Sequence, residues 1–120
     1  MKVLKNEKHA CFDVDDTLVM WGDKDYTPDP TKIAFKCPHT ESTYYLKPNK
    51  SHINFLKVQK SRGFDITVWS QGGWEWAETV IKTLELENYV DTVQTKPLKY
   101  VDDLPASEWM DRVYFGDNDG

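Results

Sequence analysis

Residues 10–20 read Ala-Cys-Phe-Asp-Val-Asp-Asp-Thr-Leu-Val-Met. A short apolar run leads directly into a cluster of carboxylates, which is typical of a buried strand that ends in a polar loop. Two further β-branched runs, at 64–69 and 90–95, are separated by an amphipathic helical pattern over 74–84. Because strands and helices alternate, we predict an α/β fold with a mostly parallel sheet and right-handed crossovers.

The stretch between the first strand and the first helix is predicted to be a β-hairpin insert, or flap. Segment 20–48 contains two β-type runs, at 33–37 and 42–46, joined by a Pro-His-Thr-Glu turn. A helix should follow, beginning near Pro48 and ending at Gly63. Three shorter elements are predicted in the last part of the chain: a strand at 98–101, a helix at 105–110 and a strand at 112–115.

Length and composition limit the classes of protein to consider. The chain has 120 residues, 39% of them hydrophobic, and a net charge of -5, which fits one domain over residues 1–120. The negative charge provides no global field that would attract a nucleic acid, so a nucleic-acid end is not a favoured partner. The sequence has no apolar run of membrane-spanning length and no signal-peptide pattern at its start, so we expect a cytoplasmic protein with no membrane partner.

Polar and charged residues follow each predicted strand at its carboxyl end. In parallel sheets these ends meet at one edge, where ligands bind. Several carboxylates cannot gather there without a cation, because like charges in a partly desolvated cleft repel one another. The residues concerned are Asp13, Asp15, Asp16 and Thr17 after the first strand, Ser70 after the second, Lys96 after the third, Asp102 and Asp103 after the fourth, and Asp117 after the last.

The oxygen-only ligand set predicts Mg²⁺ as the cofactor, since phosphate can complete its coordination shell. A zinc site made of Cys11 with Cys37 and His39 is disfavoured, because neither half has paired metal-ligand spacing. An EF-hand beginning at Asp13 fails on spacing, since Leu18 would occupy the glycine position of the loop.

Four motifs in order resemble those of the haloacid dehalogenase (HAD) superfamily, whose members are mostly Mg²⁺-dependent phosphatases. The run at 12–19, Phe-Asp-Val-Asp-Asp-Thr-Leu-Val, resembles the first motif. The strand that ends in Ser70 resembles the second, Lys96 with Pro97 the third, and the run at 100–103, Tyr-Val-Asp-Asp, the acidic fourth. The resemblance implies a three-layer, Rossmann-like α/β fold. It extends to small stand-alone HAD proteins encoded by bacteriophages.

The resemblance also implies a role for each matching residue. Asp13 would be the nucleophile that forms an aspartyl-phosphate, and Asp15 the general acid and then base. Ser70 and Lys96 would bind the transferring phosphoryl group, and we expect Thr17 and Gln71, beside the first two motifs, to contribute to that site. The metal ligands would be Asp13, Asp15 through its backbone carbonyl, and Asp103 supported by Asp102.

A second run in the chain competes for the fourth motif. The segment 113–119, Val-Tyr-Phe-Gly-Asp-Asn-Asp, resembles a variant in which Asp117 takes the metal. The compact spacing from Lys96 to the acidic pair favours Asp102 and Asp103, and the choice stays open at this stage.

Members of the superfamily that this chain resembles commonly carry a cap domain, which encloses small substrates. The insert at 20–48 is too short for one, so the resemblance implies an open site. Such a site suits nucleotides or other bulky phosphate esters, unless a second subunit of a homo-oligomer covers it. Of three neighbouring tryptophans, Trp69 and Trp74 are expected in the core and Trp76 is the one to test as a stacking surface. The sequence thus predicts a phosphatase acting on a phosphorylated small molecule or nucleotide. The alternative is a nucleotide-binding or sequestering protein that retains the pocket without turnover.

Overall fold

The structure is a computed structural model and describes residues 1–22 and 27–116. The described residues form six strands, two α-helices and two short 3₁₀ turns. In chain order they are β1 His9–Asp13, β2 Val19–Met20, β3 Ile33–Lys36, β4 Thr43–Pro48, α1 Lys50–Ser61, β5 Asp65–Ser70, α2 Trp74–Thr83, a 3₁₀ turn Glu87–Tyr89, β6 Thr92–Thr95 and a 3₁₀ turn Ala106–Glu108.

A three-stranded parallel sheet of order β1-β5-β6 positions the strand ends. Asp13 is in register with Trp69, and Ser70 with Thr95. The carboxyl ends of the three strands therefore lie side by side, as alternating strands and helices predict. The α/β class and the parallel sheet are confirmed.

One face of this sheet carries the core. Phe12, Val68 and the α2 residues Ala77 and Val80 are buried in the same hydrophobic cluster, and Phe12 also contacts Phe55 of α1. On the opposite face of β1, Cys11 is exposed. Both helices contact the parallel sheet, α1 through β5 and α2 through β5 and β6. The described residues show the α/β class, and the three-layer arrangement stays a prediction.

The predicted hairpin forms a second, antiparallel sheet of order β2-β4-β3. Ile33 pairs with Leu46 and Lys36 with Thr43 across the hairpin. Phe35 is fully buried and meets the ring of Trp76 edge to face, with the centroids 6.2 Å apart. This contact docks the hairpin onto α2, beside the carboxyl ends of the parallel strands.

The first helix begins and ends where capping residues predict. Asn49 is its N-cap, and its side-chain oxygen accepts the His52 N–H at 3.3 Å. Gly63 follows the C-terminus of the helix with a φ of 89°. Glycine is favoured at such a position because it has no Cβ to clash in a left-handed conformation. The predicted start near Pro48 and the stop at Gly63 are confirmed.

Residues 96–116 differ most from the sequence prediction. The predicted strands at 98–101 and 112–115 are irregular, and the predicted helix at 105–110 is the single 3₁₀ turn Ala106–Glu108. The Phe115 N–H donates to Nε2 of His52 at 2.9 Å instead of to a strand carbonyl. Side chains that periodicity assigns to a sheet face, such as Val101, are exposed. β-Propensity alone does not make a strand where the backbone groups find other partners.

Asp91 offers a test of the packing between α1 and the sheet. Lys60 donates to its two carboxylate oxygens at 2.8 and 2.9 Å, and the Ile66 N–H donates at 2.7 Å. Partial burial raises the pKa of Asp91, but these donors stabilise the carboxylate more, so its pKa lies below the usual value.

We expect Asp91→Asn to lower the free energy of unfolding by about 1 kcal/mol at neutral pH, given that the pair is partly exposed. A lowered folded-state pKa makes the contribution of Asp91 complete above the ordinary value near 4, and the contribution is lost as the pH falls through the folded value. Urea unfolding at several pH values measures this, with the exposed Glu41→Gln as control. A difference that grows towards acid pH would contradict the assignment.

Within residues 1–22 and 27–116, neither helix has the length and apolar character needed to cross a bilayer.

Candidate functional site

Asp13 ends β1 and lies beside a lysine and a threonine. Nζ of Lys96, just after β6, is 3.8 Å from Oδ1 of Asp13, and the Thr17 hydroxyl lies 3.4 Å from Oδ2. Both members of the ion pair are about one-third exposed (35% for Lys96 and 34% for Asp13). The pair therefore adds little to stability, and both charged groups stay accessible to a ligand.

Asp15 is held by three donors. The indole N–H groups of Trp21 and Trp76 both donate to its Oδ1 at 2.9 Å, and the Ser70 hydroxyl lies 3.3 Å from its Oδ2. Two planar donors on one oxygen fix the direction in which the carboxylate points. Asp15 is thus oriented more firmly than Asp13, although only one residue separates them.

The loop that carries these acids is wound around one carbonyl group. The N–H groups of Thr17, Leu18 and Val19 point to the Val14 carbonyl at 3.2, 2.9 and 3.2 Å. Asp16 takes a left-handed conformation with a φ of 56°, which Asp tolerates better than most residues. The tight turn brings Thr17 back to Asp13 and keeps both carboxylates at the end of β1.

Ser70 connects the second and third strand ends. Its hydroxyl accepts the Gly72 N–H at 3.0 Å, and its carbonyl accepts the N–H groups of Gly73 and Lys96 at 3.1 and 2.9 Å. Gly73 has a φ of 104°, a conformation that side chains other than glycine's rarely adopt. The chain then enters α2, whose first turn adds a positive dipole end beside Ser70.

Five of the predicted site residues come together. Gln71, Asp102 and Asp103 lie in exposed segments, and Asp117 lies outside the described residues. Asp13, Asp15, Thr17, Ser70 and Lys96 share the edge described above. Gln71 is exposed in the loop after Ser70, and no described hydrogen bond of its side chain joins it to the other site residues.

The structure places Asp102 and Asp103 in an exposed turn after β6. Both are exposed, and Oδ1 of Asp102 accepts the N–H of Leu104, two residues away, at 3.0 Å. The segment forms a local turn because 98–101 does not pair as a strand. Across the described part of the chain, no group of three or more His, Cys, Asp or Glu side chains is placed to hold a metal ion.

Residues 114–116, which lead to the alternative metal ligand Asp117, are held by hydrogen bonds beside the loop that follows β1. Nδ1 of His52 donates to the Thr17 carbonyl at 2.7 Å, and Nε2 accepts the Phe115 N–H at 2.9 Å, an arrangement that the neutral imidazole satisfies. The Asn49 amide donates to the Gly116 carbonyl at 3.0 Å, and the Tyr114 hydroxyl to the Asp16 carbonyl at 3.2 Å. Asp117 itself lies outside the described residues, but the chain leading to it is anchored beside the β1 loop.

The oxygen donors present fit part of a Mg²⁺ site. Among the described residues, the Asp13 carboxylate has a lysine at 3.8 Å and a long hydroxyl contact at 3.4 Å, so it can bind a cation. Both side-chain oxygens of Asp15 are engaged, which leaves its backbone carbonyl as the ligand implied by the motif. Hard cations prefer such carboxylate and carbonyl oxygens.

No family model, curated protein or solved structure matches this chain. The functional argument therefore depends on the residues and their geometry.

Sequence reasoning missed four residues that organise this edge. Trp76 was the tryptophan to test for stacking, but it is 6% exposed and acts as a donor to Asp15, whereas Trp74, expected in the core, is 49% exposed. No motif includes Trp21, so the sequence pattern does not indicate its role. The sequence indicates Asn49 as a residue near the start of α1. It does not indicate that the side chains of Asn49 and His52 also bind the backbone of residues 115–116.

Proposed function

We propose that the protein is a Mg²⁺-dependent phosphomonoesterase of the HAD type, acting through an aspartyl-phosphate on Asp13. One observation carries the proposal. Two carboxylates of the same loop meet a buried serine hydroxyl and a lysine ammonium at adjoining carboxyl ends of three parallel strands. Phosphoryl transfer needs a positioned nucleophile, donors for the equatorial oxygens and a proton source, and these side chains are of the types that supply them.

In the first step, one Asp13 oxygen attacks phosphorus and the bond from phosphorus to the ester oxygen breaks. Asp15 gives its proton to the departing oxygen, which leaves as an alcohol. Lys96 and Ser70 balance and orient the charge on the phosphoryl group. The accessibility of Asp13 supports its role as the nucleophile. The two indole N–H groups hold the Asp15 side chain in a fixed direction at the same edge.

In the second step, a water molecule attacks phosphorus of the aspartyl-phosphate. Asp15, now ionised, accepts a proton from that water, and the bond between phosphorus and the Asp13 oxygen breaks. Inorganic phosphate and the free Asp13 carboxylate result. Bound Mg²⁺ supplies charge neutralisation, and the groups proposed to hold it are the Asp13 carboxylate, the Asp15 carbonyl and Asp117.

A panel of phosphate esters tests the function. Purified protein should release inorganic phosphate from p-nitrophenyl phosphate and from some nucleotides or sugar phosphates in the presence of Mg²⁺. Chelation with EDTA should stop the release, and added Mg²⁺ should restore it. If no ester on a wide panel turns over, the phosphatase proposal fails. If a nucleotide binds tightly by calorimetry and is recovered intact, the sequestering alternative replaces it.

A further inference from the structure

A cavity of about 230 Å³ opens beside Asp15. Three aromatic side chains wall it: Trp21, Tyr44 and Trp76. The Trp21 and Tyr44 rings meet edge to face at 5.0 Å, and Tyr44 meets Trp76 at 6.3 Å with planes at 85°. These contacts fix the rings against one another, so the wall is largely preformed.

The end of the hairpin lines another side of this open cavity. Cys37 and His39 line it, and the Cys37 N–H pairs with the Ser42 carbonyl at 2.9 Å across the turn. Gly72 completes the lining. A Cβ added at Gly72 would lie 3.3 Å from the Ser70 hydroxyl and 3.4 Å from the Trp76 ring, so glycine keeps the wall close to the Asp15 edge.

We propose that this cavity receives the leaving group of the substrate, and that the preferred leaving group carries a single uncharged aromatic ring. The inference rests on the proposed function, because it takes Asp15 as the group that meets the departing oxygen. The cavity touches Asp15 and its wall is largely aromatic, so the alcohol protonated there would lie against ring surfaces.

The volume of the cavity and the nature of its wall narrow the class of leaving group further. An apolar cavity of about 150 Å³ is enough to bind benzene, whereas pockets for drug-sized ligands begin near 300 Å³. The volume of about 230 Å³ therefore suits one ring and its linking carbon. A choline-type leaving group would also gain from the aromatic faces, but it presents a ball of methyl groups instead of a flat ring that can pack against Trp21, Tyr44 and Trp76. The structure thus favours benzyl-type or aryl monoesters over choline-type esters.

Four substrates test the preference, because all are phosphate esters of primary alcohols: benzyl, cyclohexylmethyl and ethyl phosphate, and phosphocholine. We expect kcat/KM for benzyl phosphate to exceed that for ethyl phosphate about ten- to a hundredfold, as burial of a phenyl ring predicts. Cyclohexylmethyl phosphate should fall between them. If ethyl phosphate turns over and the benzyl-to-ethyl ratio is near one, the cavity assignment is wrong while the phosphatase stands. A preference for phosphocholine would contradict the assignment of an uncharged aromatic leaving group.

Variants of Tyr44 separate cavity binding from catalysis, since the described donors to Asp15 are Trp21, Ser70 and Trp76. Tyr44→Ala should reduce the benzyl-to-ethyl ratio to below about threefold, because the ring wall is lost, and Tyr44→Phe should retain it. Trp74→Ala is the matched control, as its ring is half exposed and lies outside the cavity lining. Thermal unfolding checks that each variant folds. An unchanged ratio in a folded Tyr44→Ala protein would contradict the inference.

A binding readout keeps the inference testable if no ester turns over. Cys37 lines the cavity and Cys11 does not, so benzylphosphonate with Mg²⁺ should slow alkylation of Cys37 by iodoacetamide and leave Cys11 unaffected. A hydrogen bond from the Thr40 hydroxyl lowers the pKa of the Cys37 thiol, which favours its reaction. Ethylphosphonate should protect Cys37 less at equal concentration. Equal protection by the two phosphonates, or none, would overturn the inference.

Discussion

Replacing Asp13 by Asn should reduce phosphate release by at least about a thousandfold, because loss of a nucleophile removes the covalent route altogether. The amide is close in size to the carboxylate and leaves Thr17 and Lys96 in place, so the variant should fold. Initial rates with p-nitrophenyl phosphate and a thermal unfolding curve measure the two properties separately.

Asp16→Asn is the matched control for Asp13. Asn tolerates the left-handed conformation that Asp16 adopts, and its side-chain oxygen can still accept the Trp21 N–H, which lies 3.0 Å from Oδ1 of Asp16. Its rate should stay within about threefold of the unchanged protein, as expected for a surface substitution. If Asp13→Asn retains most of its activity, or if Asp16→Asn loses as much, Asp13 is not the nucleophile.

The second large effect concerns the acid that completes the metal site. We expect Asp117→Asn to lower activity at subsaturating Mg²⁺ by at least about a hundredfold, as befits loss of a charged ligand. Asp103→Asn should have little effect. The reason is the anchoring of residues 114–116 by Asn49, His52 and the Asp16 carbonyl, in contrast to the exposed local turn at Asp102.

Activity measured over a range of Mg²⁺ concentrations distinguishes the two acids. Asp117→Asn should need far more Mg²⁺ for half-maximal activity, whereas Asp103→Asn should match the unchanged protein. The reverse pattern would restore Asp103 to the site and would mean that the turn at 100–105 moves towards Asp13.

The sequence predicts the elements whose signals are local. The strand before Asp13, the hairpin and both helices follow from apolar periodicity and from capping residues such as Asn49 and Gly63. The association of Asp13, Ser70 and Lys96 follows from one further rule, that parallel strands deliver their carboxyl ends to the same edge. Each of these inferences needs only the order of residues along the chain.

The remaining features depend on partners distant in sequence. Val101 belongs to a run with good β-propensity, yet no neighbouring strand pairs with it, and it is exposed. Trp74 and Trp76 both fit an apolar stripe, and the contacts of Trp76 with Phe35, Tyr44 and Asp15 decide which ring is buried. The two indole donors to Asp15 come from residues 6 and 61 positions away, a convergence that no local pattern contains.

Trapping of the acyl-phosphate tests the central claim most directly. The protein is mixed with p-nitrophenyl phosphate and Mg²⁺, quenched during turnover with borohydride, and digested for peptide mass spectrometry. Reduction of an aspartyl-phosphate gives homoserine, and the account predicts homoserine at position 13 only, with none when substrate is omitted. Homoserine at another aspartate, or none at position 13 while phosphate is being released, would contradict it.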